Sequence, residues 1–238
     1  MPTPAPHSRK LNKKLRETAR NDEAATVSPS GLLASARLLG VELPAGAAVK
    51  LIAHLELIVK WGRVYNLTAV RDPAEMLTHH TVDSLAVVTP LQRHTAGGAI
   101  RLLDVGSGAG LPGVVIAICC PEVQVECVDT VAKKAAFIQQ VGLELKLPNL
   151  SAHHARVESL AGPFDVITSR AFASLDDFVR LSAPSLATHG VWMALKGKRP
   201  DDEIAELPGN VEAFHVEQLT VPGLDAERCI VWLRRKTS

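Results

Sequence analysis

Leu102-Leu103-Asp104-Val105-Gly106-Ser107-Gly108-Ala109-Gly110-Leu111-Pro112-Gly113 decides how this chain is read. An apolar strand runs into a glycine-rich turn, and the turn opens a helix at Pro112. Such a turn exposes bare backbone to a ligand at a helix start. Gly108, Gly110 and Gly113 satisfy G-x-G-x-x-G, and Asp129 follows 21 residues after Gly108, at the end of the next apolar run. By spacing alone a nicotinamide dinucleotide would fit. Two features point elsewhere. Gly106-x-Gly108-x-Gly110 follows the strand more tightly, and Asp104 sets a carboxylate two residues before the first glycine, where it would repel a pyrophosphate. S-adenosylmethionine carries a cationic sulfonium and an amino group, so an acid beside the loop suits it, and Asp129 can accept both ribose hydroxyls. Asp104, Gly106, Gly108, Gly110, Leu111 and Asp129 are therefore the expected cofactor residues.

Outward from this loop, short apolar runs alternate with helical stretches. Ile100 to Val105 precedes a helix over Pro112 to Cys120, and Val123 to Val128 precedes one over Thr130 to Lys146. Leu150 to His154, Phe164 to Ser169 and Val191 to Leu195 are further strands, with a helix from Asp176 to Leu186 between the last two. The alternation predicts an α/β fold, a doubly wound, mostly parallel sheet with helices on both faces. Val211 to Leu219 and Cys229 to Leu233 flank a Pro222-Gly223 turn without a full helix, which predicts an antiparallel terminal pair and seven strands in all.

Before the Gly97-Gly98 break the pattern is helical. Ser28 caps a helix with Pro29 at its first position and Gly40 as its stop. A second helix follows Pro44, carries Leu51, Ile52, Leu55, Ile58 and Val59 on one face, and is expected to end near Gly62. Asp72-Pro73-Ala74-Glu75 has capping-box spacing, with Met76, Leu77, Leu85 and Val88 continuing at helical intervals. The division read from the sequence is a basic tail over 1–27, a helical section over 28–96 and the sheet domain over 97–238.

The 238 residues hold 26 Lys and Arg against 25 Asp and Glu, and 47% are apolar, which describes a globular core rather than a disordered chain. The charge is uneven: residues 1–20 carry six cations and Glu17, a local +5 that leaves −4 for the rest. Such an arm can sample phosphate backbones or stay solvated. The longest apolar run, Val114 to Cys120, is far short of the roughly 18 to 20 residues that span a bilayer. No secretory signal is legible, so a cytoplasmic protein with four reduced cysteines is expected. Metal binding is not expected. His79-His80 and His153-His154 are adjacent pairs, which neither face one another on a helix nor share a face of a strand.

At the end of the fourth strand, where such sheets present substrates, stands Ser169-Arg170-Ala171-Phe172. Arg170 can hold an anionic group, and Phe172 can stack a base or fill the core. Lys196, Lys198 and Arg199 form a basic cluster after the fifth strand. Val157 and Glu158, after the third, lie where an adenine would be edged.

Trp61-Gly62-Arg63-Val64-Tyr65-Asn66-Leu67-Thr68-Ala69-Val70-Arg71-Asp72, His80-Thr81-Val82-Asp83-Ser84, Leu103 to Gly113, Ser169 to Ala173 and Ala194-Leu195-Lys196-Gly197 together resemble the small-subunit ribosomal RNA guanine-N7 methyltransferase G family, also called glucose-inhibited division protein B. The resemblance runs from about Gly31 to Leu233. It implies a class I, Rossmann-like methyltransferase that uses S-adenosylmethionine to methylate N7 of one guanosine, guanosine 527 in the family, in bacterial 16S rRNA. It places Gly106, Leu111, Val157, Glu158 and Arg170 at the family's cofactor-binding positions, with Val157 where a small residue is common. N7 offers a lone pair without deprotonation, so no general base and no covalent intermediate are expected, with Arg170 and Phe172 as positioning residues. The implied partner is 16S rRNA or a small-subunit intermediate, met by a monomer. A small-molecule methyltransferase, an NAD-dependent oxidoreductase and an RNA-binding module with a degenerate pocket are the alternatives that the residues alone leave open.

Overall fold

The first helix, Pro29–Leu38, buries Leu32 and Ala36 one turn apart and stops at Gly40, whose φ of +65° no side chain readily adopts. In the computed structural model residues 29–65, 67, 73–170, 172 and 174–236 are described. The basic tail, the Ser28 cap, the Asp72 end of the capping box and the motif residues Asn66 and Thr68 to Arg71 lie outside them. The second helix, Ala47–Tyr65, buries Leu51, Leu55 and Ile58 on one face. It runs three residues past Gly62, where its end was expected. A helical glycine costs only about 0.5–1 kcal/mol, and next to it Trp61 packs edge-on against Phe137 at 5.5 Å.

A third helical stretch starts at Pro73–Met76, widens into a π-turn over Leu77–Val82 and narrows again at Asp83–Leu85. The π-turn inserts one residue into the helical repeat, which an apolar spacing argument does not reveal. The helix Val88–Thr95 then closes the section at Ala96, with φ +50°.

Seven strands follow: β1 Arg101–Val105, β2 Gln124–Asp129, β3 Leu150–His154, β4 Phe164–Arg170, β5 Leu186–Lys196, β6 Val211–Leu219 and β7 Arg228–Arg235. They form one sheet in the order β3-β2-β1-β4-β5-β7-β6. The first five are parallel, while β7 runs antiparallel to both β5 and β6, the predicted terminal pair. Helices Gly113–Cys119, Ala132–Glu144 and Leu175–Ser182 make the crossovers.

Successive strand residues face opposite sides, and the core divides accordingly. Leu102, Val125, Val166 and Met193 pack on one face with Val115, Phe137 and the helical section's Leu32, Leu51, Leu55 and Leu85. Leu103, Ile167, Trp192 and Leu233 pack on the other with Phe178. The helical section therefore shares a core with the sheet.

Two boundaries differ from expectation by four residues or more. The helix predicted to reach Leu186 ends at Ser182, capped at its start by Ser174, whose Oγ accepts the Asp177 N–H at 3.1 Å. β5 begins at Leu186, five residues early, because Ala187 to His189 are only partly covered and carry no apolar signature. A short helix, Asp201–Ala205, follows β5 where no element was expected.

Candidate functional site

The glycine loop closes the carboxyl end of β1, beside the point where the chain order reverses between β1 and β4. Gly106, Gly108 and Gly110 have φ of +70°, +58° and +79°. They are not equivalent. A Cβ on Gly106 would meet nothing within 4 Å and one on Gly108 only the Gly106 carbonyl at 3.9 Å, so these two leave open space above the turn. A Cβ on Gly110 would collide with the Val114 side chain, and one on Gly113 with Cys127 Sγ at 2.6 Å and Asp104 Oδ2 at 2.7 Å. The first pair gives a ligand access to backbone, and the second lets the helix pack onto the sheet.

Asp104 is wholly buried beneath the loop. Its Oδ2 accepts the Gly113 N–H at 2.9 Å, its Oδ1 has no partner, and burial raises its carboxyl to about 7. With no exposed surface, Asp104 lies beneath the loop rather than at its rim, and anchors the helix start. Asp129, also buried, accepts the Gly108 N–H at Oδ2 (3.0 Å) and the Val131 N–H at Oδ1 (2.8 Å). Each oxygen keeps a further lone pair for a hydroxyl. Leu111 is buried in the core, Val157 packs with Val105 and Val128, and Glu158 is exposed on the same turn, 3.2 Å from Arg156. An open cradle of backbone, with an unpartnered buried carboxylate oxygen below and an aspartate at its rim, fits a nucleoside bearing a positive charge.

Next to the cradle the ends of β4, β5 and β7 enclose a cavity of about 380 Å³ lined by His79, His80, Asp83, Arg170, Lys196 and Arg228 among others. That volume lies within the roughly 300–1,000 Å³ of ligand sites. The sheet register makes the two neighbours. Asp104 pairs with Thr168, and the Ser169 hydroxyl donates to the Val105 carbonyl at 2.8 Å, so Arg170 stands level with the loop.

Arg170 Nη1 donates to the His79 carbonyl at 3.1 Å and to Asp83 Oδ2 at 3.3 Å, while Arg228 Nε donates to Asp83 Oδ1 at 2.9 Å. One buried carboxylate thus holds two guanidiniums at the cavity wall. Burial, followed by the nearby Arg170 charge, lowers the His80 pKa and favours the neutral imidazole. Cys229 also lines the wall, and burial pushes its thiol up, so it stays protonated.

The expected basic cluster is partly neutralised. Lys196 lines the cavity but donates to Glu203 at 2.7 and 2.9 Å, and Arg199 pairs with Asp201 at 2.6 Å. Lys198 is exposed outside the cavity wall, beside the Leu219 to Arg228 segment. Phe172 is half-buried with its ring 5.6 Å from that of Phe178, which commits one side of it to packing. Asp83, Arg228 and His79 were not anticipated as site residues. Asp83 and His80 stood within a motif that carried the family resemblance; Arg228 had no local signal. The other histidine pair diverges, His153 to Glu126 at 2.9 Å and His154 to the Thr130 carbonyl at 3.2 Å.

A family model described as rRNA small subunit methyltransferase G matches residues 48–231. The chain belongs to this family. The family's protein from Acidovorax ebreus is 66% identical over 207 residues, covering 84% of this chain and 92% of the relative, and that from Polaromonas sp. strain JS666 is 65% identical over 212 residues, covering 87% and 93%. Among solved structures, magnesium protoporphyrin IX methyltransferase from Synechocystis PCC 6803, with bound SAM, superimposes with a TM-score of 0.57 at 11% identity, over 77% of this chain and 97% of that one. That likeness shows the fold, a class I methyltransferase sheet. Membership of the methyltransferase G family covers both the cradle and the cavity.

Proposed function

We propose that this protein methylates N7 of a single guanosine in bacterial 16S rRNA, guanosine 527 in the family, using S-adenosylmethionine in the cytoplasm. The observation that carries the reading is the juxtaposition of an open glycine cradle with a cavity walled by Arg170 and Arg228. Bound there, S-adenosylmethionine supplies an electrophilic methyl on its sulfonium.

The chain's own residues bind and orient. Gly106 and Gly108 let the donor lie on backbone, Leu111, Val157 and Glu158 border it, and Asp129 can accept ribose hydroxyls while keeping its hold on the loop. Arg170 and Arg228, fixed by Asp83, offer guanidinium N–H groups to phosphate oxygens of the rRNA, for which their fork geometry is suited. Lys196, Lys198 and Arg199 extend the basic rim, and Phe172 borders it. N7 presents its lone pair without losing a proton, so alignment supplies most of the rate and no residue acts as a base. Burial keeps the Cys229 thiol protonated, which disfavours it as a nucleophile for a covalent route.

We take the protein as a monomer that meets 16S rRNA or a small-subunit intermediate, with the helical section over 28–96 shaping the cavity wall and the tail over 1–27 adding phosphate attraction. Among the described residues no helix is long and apolar enough to cross a membrane, and no three His, Cys, Asp or Glu side chains are grouped to hold a metal.

The test is transfer of labelled methyl from S-adenosylmethionine to unmodified 16S rRNA and small subunits, with the product nucleotide identified by mass spectrometry. N7-methylguanosine at one position is the expected result; donor binding without any labelled RNA would sink the substrate assignment. Arg170→Ala is expected to fold and to lower kcat/KM at least about tenfold, the effect of removing one charge-assisted hydrogen bond.

A further inference from the structure

The helical section reaches the glycine loop with a buried polar side chain. His54 lies within the Ala47–Tyr65 helix, has no exposed surface, and places Nε2 2.9 Å from the Ala109 carbonyl, 55 residues away. Ala109 stands between two left-handed glycines, and among the described residues no backbone N–H donates to its carbonyl.

Burial lowers the His54 pKa to about 4, so the imidazole is neutral in the cell and carries one N–H. A carbonyl can only accept; the proton must therefore sit on Nε2. Nδ1 is left with a lone pair, buried and without a hydrogen-bond partner. Leaving such an atom unpaired costs stability, and a leucine would fill the same space without that cost. Packing alone gives no reason for an imidazole here. The loop bond does. His54 also stacks on Phe137 at 6.3 Å, in the helix that begins just after Asp129. The loop is thus gripped at consecutive residues, Asp129 taking the Gly108 N–H and His54 giving to the Ala109 carbonyl.

We propose that His54 is a positioning residue of the donor site, holding the glycine loop in its ligand-ready turn from the helical section. The proposal rests on reading that loop as the S-adenosylmethionine site.

The experiment compares wild type, His54→Leu and His54→Gln in the full chain. Amide hydrogen exchange at Gly110 and Leu111 is measured without ligand, binding of S-adenosylhomocysteine is measured by calorimetry, and the wild-type imidazole is observed by nitrogen-15 NMR. Both the loop exchange rate and the dissociation constant are expected to rise about tenfold in His54→Leu, the scale of one net hydrogen bond, and to return toward wild type in His54→Gln, which restores a donor. The wild-type ring is expected as the Nε2–H tautomer, with a resonance that shifts when S-adenosylhomocysteine is added. A folded leucine variant with wild-type loop exchange overturns the proposal, and so does an Nδ1–H tautomer or a resonance that ignores the ligand. If the leucine variant does not fold, the wild-type spectrum decides. Failure of wild type to bind S-adenosylhomocysteine would instead overturn the donor assignment, while loop exchange and tautomer still decide the role of His54.

Discussion

His54 and Asp104 are both fully buried, and burial moves them in opposite directions, His54 from 6.5 down to about 4 and Asp104 from 3.8 up to about 7. Unfolded, His54 takes a proton below 6.5, which the native protein refuses until about 4, so its contribution to stability is lost as pH falls through that window. Asp104 does the reverse: the native protein binds its proton first, so stability is present at low pH and is lost as pH rises toward 7. Each is on the order of 3–4 kcal/mol across its window at about 1.4 kcal/mol per unit, and in wild type they largely offset. Relative to wild type, His54→Gln should gain stability between about pH 7 and 4.5 and Asp104→Asn should lose it, read as urea midpoints at the two pH values. Parallel pH profiles for all three proteins would show that neither group titrates as its burial demands.

At the scale of the element, the loop's glycines separate access from packing. Gly106→Ala places a methyl in open space at φ +70°, a strain of roughly 1–2 kcal/mol, and should leave a folded protein whose affinity for S-adenosylhomocysteine falls because the cradle is filled. Gly110→Ala drives a methyl into Val114 and should lower the unfolding temperature more than Gly106→Ala does. Thermal unfolding with and without the ligand distinguishes them; equal destabilisation with equal binding would contradict the division. β3 and β6 were legible to the residue: Pro148-Asn149 stands before the first, and Pro208-Gly209-Asn210 and the Pro222-Gly223 turn stand on either side of the second. The start of β5 was not, since Ala187 to His189 lie at its partly exposed end. The π-turn escaped because one extra backbone residue leaves composition and spacing nearly unchanged. Half the site was legible in the same sense: the cradle is local in sequence, whereas Asp83 and Arg228 meet across 145 residues, a pairing that no local pattern encodes.

For the whole molecule, an overall charge of +1 means that attraction to RNA depends on where charge sits. Removing residues 1–27 takes away the tail's six cations together with Glu17, Asp22 and Glu23, a net +3. It should weaken binding to 16S rRNA and flatten the fall of log affinity with log salt, by up to about 0.7 to 0.9 for each phosphate the tail no longer neutralises, while leaving S-adenosylhomocysteine binding intact. An unchanged slope would make the tail a bystander. The rest of the chain is organised by the core that the helical section shares with the sheet, where Leu51 and Leu55 pack in the same cluster as Leu102 and Met193. Heat should therefore find one unit, and calorimetry of residues 28–238 should show a single endotherm that moves as a whole when ligand is added. A bacterium growing toward its upper temperature limit would then not pass through a stage in which the protein still sequesters methyl donor but can no longer modify ribosomes: both abilities vanish together, and no half-working form is left to compete.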